Sequence, residues 1–245
     1  MAAFRNGSIR LNYRSFGAGR PLVLIHGWGA SGDQWEETGW FPALSPGRHL
    51  LIPDCRGHGL SAKPHDPDLY AMASLASDII ALLDEVGEPQ ADLFGYSMGA
   101  AVALWTAALA PDRVGALVAG GVAGADEAET RAMGAALLGE AEATLRSEEY
   151  RQYAASGIDT DFVALGACLQ TGLPTPPCEE LAVFGGEALL ASGELDRRRE
   201  HTTRLAGCLP GGRFLLFEGD DHMGLFADAR FKEAVRAFLN EVSPC

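Results

Sequence analysis

Six short runs of consecutive apolar residues punctuate the chain, with little alternation in any of them. They are PLVLIHG (21–27), HLLIPDC (49–55), ADLFGYS (91–97), GALVAGG (115–121), EALLASG (187–193) and RFLLFEG (213–219). A strand with one wet face alternates apolar and polar residues, whereas a continuous run suits a strand buried on both faces, as in a parallel sheet. Between these runs the period changes. Leu75, Ile79, Leu82, Leu83 and Val86 recur at helical spacing and make one apolar face, with Gly87 placed to stop the helix. Phe231, Val235, Phe238 and Leu239 repeat the pattern near the C-terminus. The longest apolar stretch, Met98 to Ala110, ends at Pro111 and reads as a buried helix, too short to span a bilayer. Upstream, Asn6-Gly7 between AAFR and SIRLNYRSF predicts a hairpin with a tight two-residue turn. Strands alternating with helices predict an α/β fold, a mostly parallel twisted sheet with helices on both faces.

The alternation breaks between Asp126 and Gly186. EAETRAMGAALLGEAEATLRSEEYRQYAASG (127–157) is rich in helix formers, and LPTPPCEE (173–180) turns the chain back, with Pro176 or Pro177 suited to a helix start. The expected organisation is a core domain of residues 1–125 and 187–245 with a small helical lid, 126–186, inserted in it. Met133, Leu137, Leu138, Phe162 and Leu165 are the apolar lid positions that could line a substrate pocket. Packing between lid helices is the ordinary role of such side chains, and Met133, Leu137 and Phe162 are the ones assigned to substrate.

Charge narrows the partners. The 245 residues carry a formal net charge of -14, which opposes nucleic acid and anionic membrane surfaces. The N-terminal MAAFRNGSIRLNYR has no apolar core of signal-peptide length. The five cysteines (55, 168, 178, 208 and 245) are scattered, odd in number and without a C-x-x-C pair. They suggest neither a disulfide framework nor a zinc site, so a reducing cytoplasm is expected. No H-E-x-x-H is present, and no G-x-G-x-x-G follows a strand and opens a helix. No metal and no cofactor are therefore expected.

One serine stands out. In LFGYSMGAA (93–101), Ser97 lies between Gly95 and Gly99, after one buried run and before another. A sharp strand-to-helix turn strains the serine and crowds its neighbours, and glycines remove the colliding side chains. The hydroxyl then stands above the carboxyl edge of the sheet, facing a helix N-terminus. A serine hydroxyl needs a base, and His222 in FEGDDHMGLF follows the last strand-like run. A histidine base needs an acid, and Asp196 in LLASGELDRRRE follows the run before it. Asp126 is the main rival for that role, with Glu187 and Glu194 behind it, while Asp220 and Asp221 sit too close in sequence to fold back onto His222. An oxyanion formed at Ser97 needs amide donors. Met98, next in sequence, supplies one, and Trp28 in HGWG (26–29) supplies the second. His26 is read as structural, and Trp28 alone among the tryptophans is placed to touch substrate.

HGWG, DCRGHGLS (54–61), GYSMG, SGELD and DDHMG, in this order and spacing, closely resemble the α/β-hydrolase fold family over about Ile9 to Leu239. The resemblance implies a structural role for Asp54, Arg56 and His58 around the active-site loop. Ala100 stands where many relatives have a third glycine, which touches helix packing and not chemistry. It also implies a cofactor-free serine hydrolase acting on a small-molecule carboxylic ester or lactone. Perhydrolase or haloperoxidase-like chemistry, C–C bond hydrolysis and aminopeptidase activity share the same three residues. So does a receptor that keeps them silent. Dehalogenases and epoxide hydrolases place an aspartate where this chain has Ser97.

Overall fold

The computed structural model describes residues 1–139 and 159–244. Its centre is an eight-stranded sheet in the order β1-β2-β4-β3-β5-β6-β7-β8. The strands are β1 (Ala2–Asn6), β2 (Ile9–Gly17), β3 (Arg20–Ile25), β4 (Arg48–Pro53), β5 (Ala91–Tyr96), β6 (Val114–Gly120), β7 (Glu187–Gly193) and β8 (Gly211–Phe217). β1 and β2 pair antiparallel, as do β2 and β4. Every other neighbouring pair is parallel. The continuous apolar runs are thus the parallel strands, and all six residues of β5 are buried.

Helices cover both faces. Between strands lie α1 (Gln34–Glu37), α2 (Trp40–Leu44), α3 (Met72–Val86), α4 (Met98–Leu109) and α5 (Glu127–Leu138). After the undescribed stretch come α6 (Phe162–Leu169), α7 (Cys178–Leu181), α8 (Arg199–Cys208), α9 (His222–Ala227) and α10 (Ala229–Val242). On one face Val23, Ile25 and Leu93 pack with Leu75, Leu82, Val102 and Leu205. On the other, Leu22, Leu24 and Phe94 pack with Trp35, Trp40, Phe226 and Phe231. Both predicted helical faces are present, and Gly87 caps α3 at φ 75°, in the left-handed region where a glycine is cheapest. Among the described residues no helix is long and apolar enough to cross a membrane.

Asp92, at the start of β5, is fully buried. Arg48 reaches it at 3.0 Å, Arg20 at 3.2 Å and the amide of Ala116 at 2.9 Å, and the hydroxyl of Ser243 donates to it. This cluster ties the C-terminal residues to the sheet at the ends of the parallel strands away from Ser97.

Two details differ from expectation, and a third, the proline before α7, agrees with it. Asn6 pairs with Ile9, so the hairpin loop is Gly7-Ser8 and lies one residue later than Asn6-Gly7, with Gly7 at φ 58°. β8 begins two residues early and leaves Leu215 and Leu216 exposed, because it is the edge of the sheet and its outer side has no neighbour. Pro177 precedes the helix α7 as its N-cap residue.

The cysteine reading is corrected. Cys178 and Cys208 form a disulfide with Cα atoms 4.9 Å apart. Packing of α7 against α8 brings together two residues 30 apart in sequence, a proximity that scattered spacing conceals. Cys55 and Cys168 are free and buried. Between Gly121 and Gly186 the described residues contain helices and no strand. The rest of the helix-forming stretch, like Cys245, lies outside the described residues.

Closing a loop of this length stabilises a domain by roughly 2–4 kcal/mol. Urea unfolding with and without reductant is expected to show that loss, and Cys208→Ser should reproduce it without reductant. An unchanged midpoint under reductant would count against the bridge.

Candidate active site

β5 ends at Tyr96 and α4 begins at Met98, so Ser97 alone makes the turn, at φ 56° and ψ −114°. That conformation is strained for an L-residue and persists only if its surroundings enforce it. They do so through backbone contact. A side chain on Gly95 would strike the carbonyl of Gly99, and one on Gly99 would strike that of Ile25. The Ser97 amide donates to Gly120 O at 2.9 Å, and the Ser97 carbonyl accepts from Ala123 at 3.2 Å. The three central strands therefore jointly fix the hydroxyl at the N-terminus of α4.

The structure brings Ser97, His222 and Asp196 together. Ser97 Oγ lies 3.1 Å from Nε2 of His222, and Nδ1 of His222 lies 2.7 Å from Oδ2 of Asp196. A carboxylate only accepts, so Nδ1 carries the hydrogen and Nε2 is left to accept from the hydroxyl. Burial would push the Asp196 carboxyl up. The hydrogen bond and charge of His222, with Arg198 behind them, outweigh it and hold the group below the usual carboxylate range. The rival acids are engaged elsewhere. Asp126 is exposed and caps α5 by accepting from Glu129 N at 2.9 Å. Glu187 pairs with Arg213 at the opposite end of β7, and Glu194 accepts from the amide of Gly219. Asp221 caps α9, and Asp220 pairs with Arg230.

His222 has a seat that the sequence reading did not assign. The Tyr96 hydroxyl donates to the His222 carbonyl at 2.5 Å, and the two rings lie 5.4 Å apart. Gly121, at φ 54°, runs directly under the imidazole, where a Cβ would come within 2.9 Å of Nδ1 and Cε1. The signal was present in the Gly120-Gly121 pair that closes an apolar run. A hydroxyl, an imidazole and a carboxylate also line up at the far end of the sheet. Ser15 Oγ is 2.7 Å from Nε2 of His49, whose Nδ1 is 3.7 Å from Glu88. There the serine is exposed on a regular strand, away from any strand-to-helix turn.

The loop after β3 passes beside Ser97. A Cβ on Gly27 would sit 3.5 Å from that of Ser97, and Gly29 turns at φ 77°. His26 is fully buried and braces this loop, with Nε2 accepting from Cys55 N at 2.9 Å and Nδ1 donating to Gly27 O at 2.7 Å. Burial pushes the His26 pKa down and that of His58 down to about 3, which keeps both rings neutral. Asp54 accepts from the amides of Gly32 and Leu60, and Arg56 pairs with Asp78.

The helix α6 lies against both residues expected to supply amides. Trp28 Nε1 donates to Leu165 O at 3.1 Å, and the sulfurs of Met98 and Cys168 are 3.8 Å apart. Asp161 caps α6 through the amides of Val163 and Ala164, and it also pairs with His65. Met133 and Leu137 are buried in the same cluster as Trp28 and Met98, with Phe162 packed against its edge. Leu138 packs on Gly166, where α5 and α6 approach closely. Among the described residues no group of three or more His, Cys, Asp or Glu side chains is arranged to hold a metal ion.

A family model described as alpha/beta hydrolase fold matches residues 20–152. The pimeloyl-[acyl-carrier protein] methyl ester esterase of Vibrio campbellii is 38% identical over 111 residues, covering 45% of this chain and 40% of that protein. The 2-hydroxymuconate semialdehyde hydrolase of Pseudomonas sp. strain CF600 is 38% identical over 119 residues, 47% of this chain and 41% of that one. The chain thus spans less than half the length of these curated relatives. An esterase from Exiguobacterium antarcticum superposes with a TM-score of 0.82 at 20% identity, over 97% of this chain and 98% of that one, a likeness of fold.

The seat under His222 is testable. Gly121→Ala is expected to displace the imidazole and lower kcat on any substrate the site turns over by roughly 10–100-fold. The melting temperature should fall as well, because a residue with a Cβ is strained at φ 54°, so kcat is read on protein that is still folded. Unchanged kcat would show that the ring does not depend on this floor.

Proposed function

Because the chain belongs to the α/β-hydrolase fold family, we propose that it is a serine hydrolase that cleaves a small-molecule carboxylic ester or lactone. The observation that carries the reading is the aligned row of Ser97, His222 and Asp196, with the serine in a strained turn at a helix N-terminus. In this reading His222 Nε2 takes the hydroxyl proton as Ser97 Oγ attacks the carbonyl carbon. Asp196 holds the ring in the right tautomer and stabilises its cation. The tetrahedral oxyanion is held by the amides of Trp28 and Met98, each contributing on the order of 3 kcal/mol. Collapse expels the alkoxide, which His222 protonates, and leaves an acyl ester on Ser97. Water, deprotonated by His222, then releases the acid and restores the hydroxyl. The alkoxide leaves with the proton of Ser97, relayed by His222, and the water replaces it.

The ester reading is supported by the methyl ester esterase among the relatives. A fluorophosphonate is expected to label Ser97. Ser97→Ala should lose at least roughly 10³-fold in kcat on a p-nitrophenyl ester. Labelling at Ser15, or near-full activity of the variant, would overturn the mechanism. Labelling of Ser97 with no steady turnover of esters, lactones, amides or C–C substrates would favour a silent receptor.

We further assign the 126–186 insertion, through its described residues 126–139 and 159–186, the role of a lid over the site, with Met133, Leu137 and Phe162 as substrate contacts. The position of α6 against Trp28 and Met98 supports this. An alanine scan of Met133, Leu137, Leu138, Phe162 and Leu165 should change kcat/KM unevenly across esters of increasing chain length. Discrimination should shift by roughly 1–3 kcal/mol per lost methylene-sized contact. Uniform losses on every chain length would make these residues packing alone.

A further inference from the structure

Three arginines follow Asp196, and each has a different partner. Arg197 Nη1 reaches Glu129 on α5 at 2.7 Å, and Arg199 Nη1 donates to the Glu194 carbonyl at 3.0 Å. Arg198 turns inward. Its main-chain amide donates to Asp196 Oδ1 at 2.9 Å, and its Nη1 lies 3.4 Å from the same oxygen. The Asp196 carboxylate is 1% exposed and the Arg198 side chain 18%, so bulk water screens the pair only in part. Oδ2 is left to His222. Rotating the carboxylate would break the contacts on both oxygens at once.

We propose that Arg198 is a positioning residue for the hydrolysis: it fixes the orientation of Asp196, and its charge keeps that carboxylate ionised in front of His222. This rests on the roles given to Ser97, His222 and Asp196 above. A proton arriving on the Asp196–His222 pair adds positive charge beside a guanidinium, which repels it. Without Arg198 the pair binds that proton at higher pH, because the carboxylate is less compensated. The other charged or titratable groups around the pair have partners of their own. The Tyr96 hydroxyl is on the His222 carbonyl, and burial raises its pKa far above the working range. Asp220 pairs with Arg230, and Asp221 accepts from the amides of Met223 and Gly224. Glu194 accepts from Gly219, Glu129 pairs with Arg197, and His201 on α8 faces Thr175 and Arg204. Arg198 is the cation whose bonds end on Asp196.

The test compares wild type with Arg198→Met and Arg198→Lys. The first readout needs no substrate. The downfield Nδ1 proton of His222 is followed by NMR as a function of pH, and its titration is expected to move up by roughly 0.5–1 pH unit in Arg198→Met. Arg198→Lys should restore at least half of that shift. On an ester, the acidic limb of kcat/KM should move in the same direction, with kcat falling at low pH and KM nearly unchanged. An unmoved NMR titration in folded Arg198→Met overturns the proposal, as does a lysine variant that behaves like methionine. If Arg198→Met fails to fold, Arg198→Gln takes its place under the same criteria. Absence of ester turnover in wild type would count against the hydrolase reading, while the NMR titration would still decide the role of Arg198.

Discussion

A serine at φ 56° is the constraint on which the site depends. Such a backbone costs of order 1–3 kcal/mol and relaxes unless its neighbours forbid the alternatives. Here the prohibition comes from main chain, not from side chains. Gly95 and Gly99 let β3, β5 and α4 approach so closely that a methyl group at either position would strike a carbonyl. The amide of Ser97 is held by β6, and β6 in turn carries the glycine under His222. Ser97 and His222 are thus placed by one bundle of adjacent parallel strands. Asp196 joins them from β7, whose end is crossed by the chain leading to His222, where Leu195 donates to Asp220 O at 2.8 Å.

The two ends of the sheet divide the polar groups between them. At the carboxyl ends of the strands, Asp196 and His222 face a hydroxyl. At the other ends Asp92 is surrounded by Arg48, Arg20, Ser243 and an amide, a set that satisfies its oxygens within the fold. The loop after β4 shows the same satisfaction in a third place, where Asp54 collects amides and His26 bonds Cys55 N and Gly27 O. Buried polar groups with all their partners rigidify a fold, whereas a hydroxyl facing an imidazole can exchange a proton. What separates the row at Ser97 from the look-alike at Ser15 is the strained strand-to-helix turn, since Ser15 is exposed on an ordinary strand.

Much of this was legible along the chain because the central strands are buried on both faces, and a doubly buried strand writes itself as an unbroken apolar run. β5 and β7 match their runs to within a residue, and α3 ends at the glycine that its pattern predicts. β8 was read two residues late because an edge strand lacks the second neighbour that makes the signal continuous. The hairpin slipped by one residue because Asn-Gly names a turn without naming which residues pair across it. Ser97, His222 and Asp196 were readable because each follows a strand in a fixed order. Arg198, Tyr96 and the Cys178–Cys208 bridge were not. Their partners lie across the fold or depend on a side-chain direction that spacing does not encode.

The tryptophans add an optical consequence. Trp35 and Trp40 are fully buried in an aromatic cluster with Phe94 and Phe226, on the face of the sheet away from α5 and α6. Trp28 instead donates its indole hydrogen to Leu165 O on α6. An indole whose hydrogen bond ends on a neighbouring helix changes its emission when that helix shifts, while chromophores locked in a distant core do not. The molecule therefore carries a built-in fluorophore at the seam between α6 and the sheet, and a ligand wedged into that seam would announce itself by a change in colour without any label.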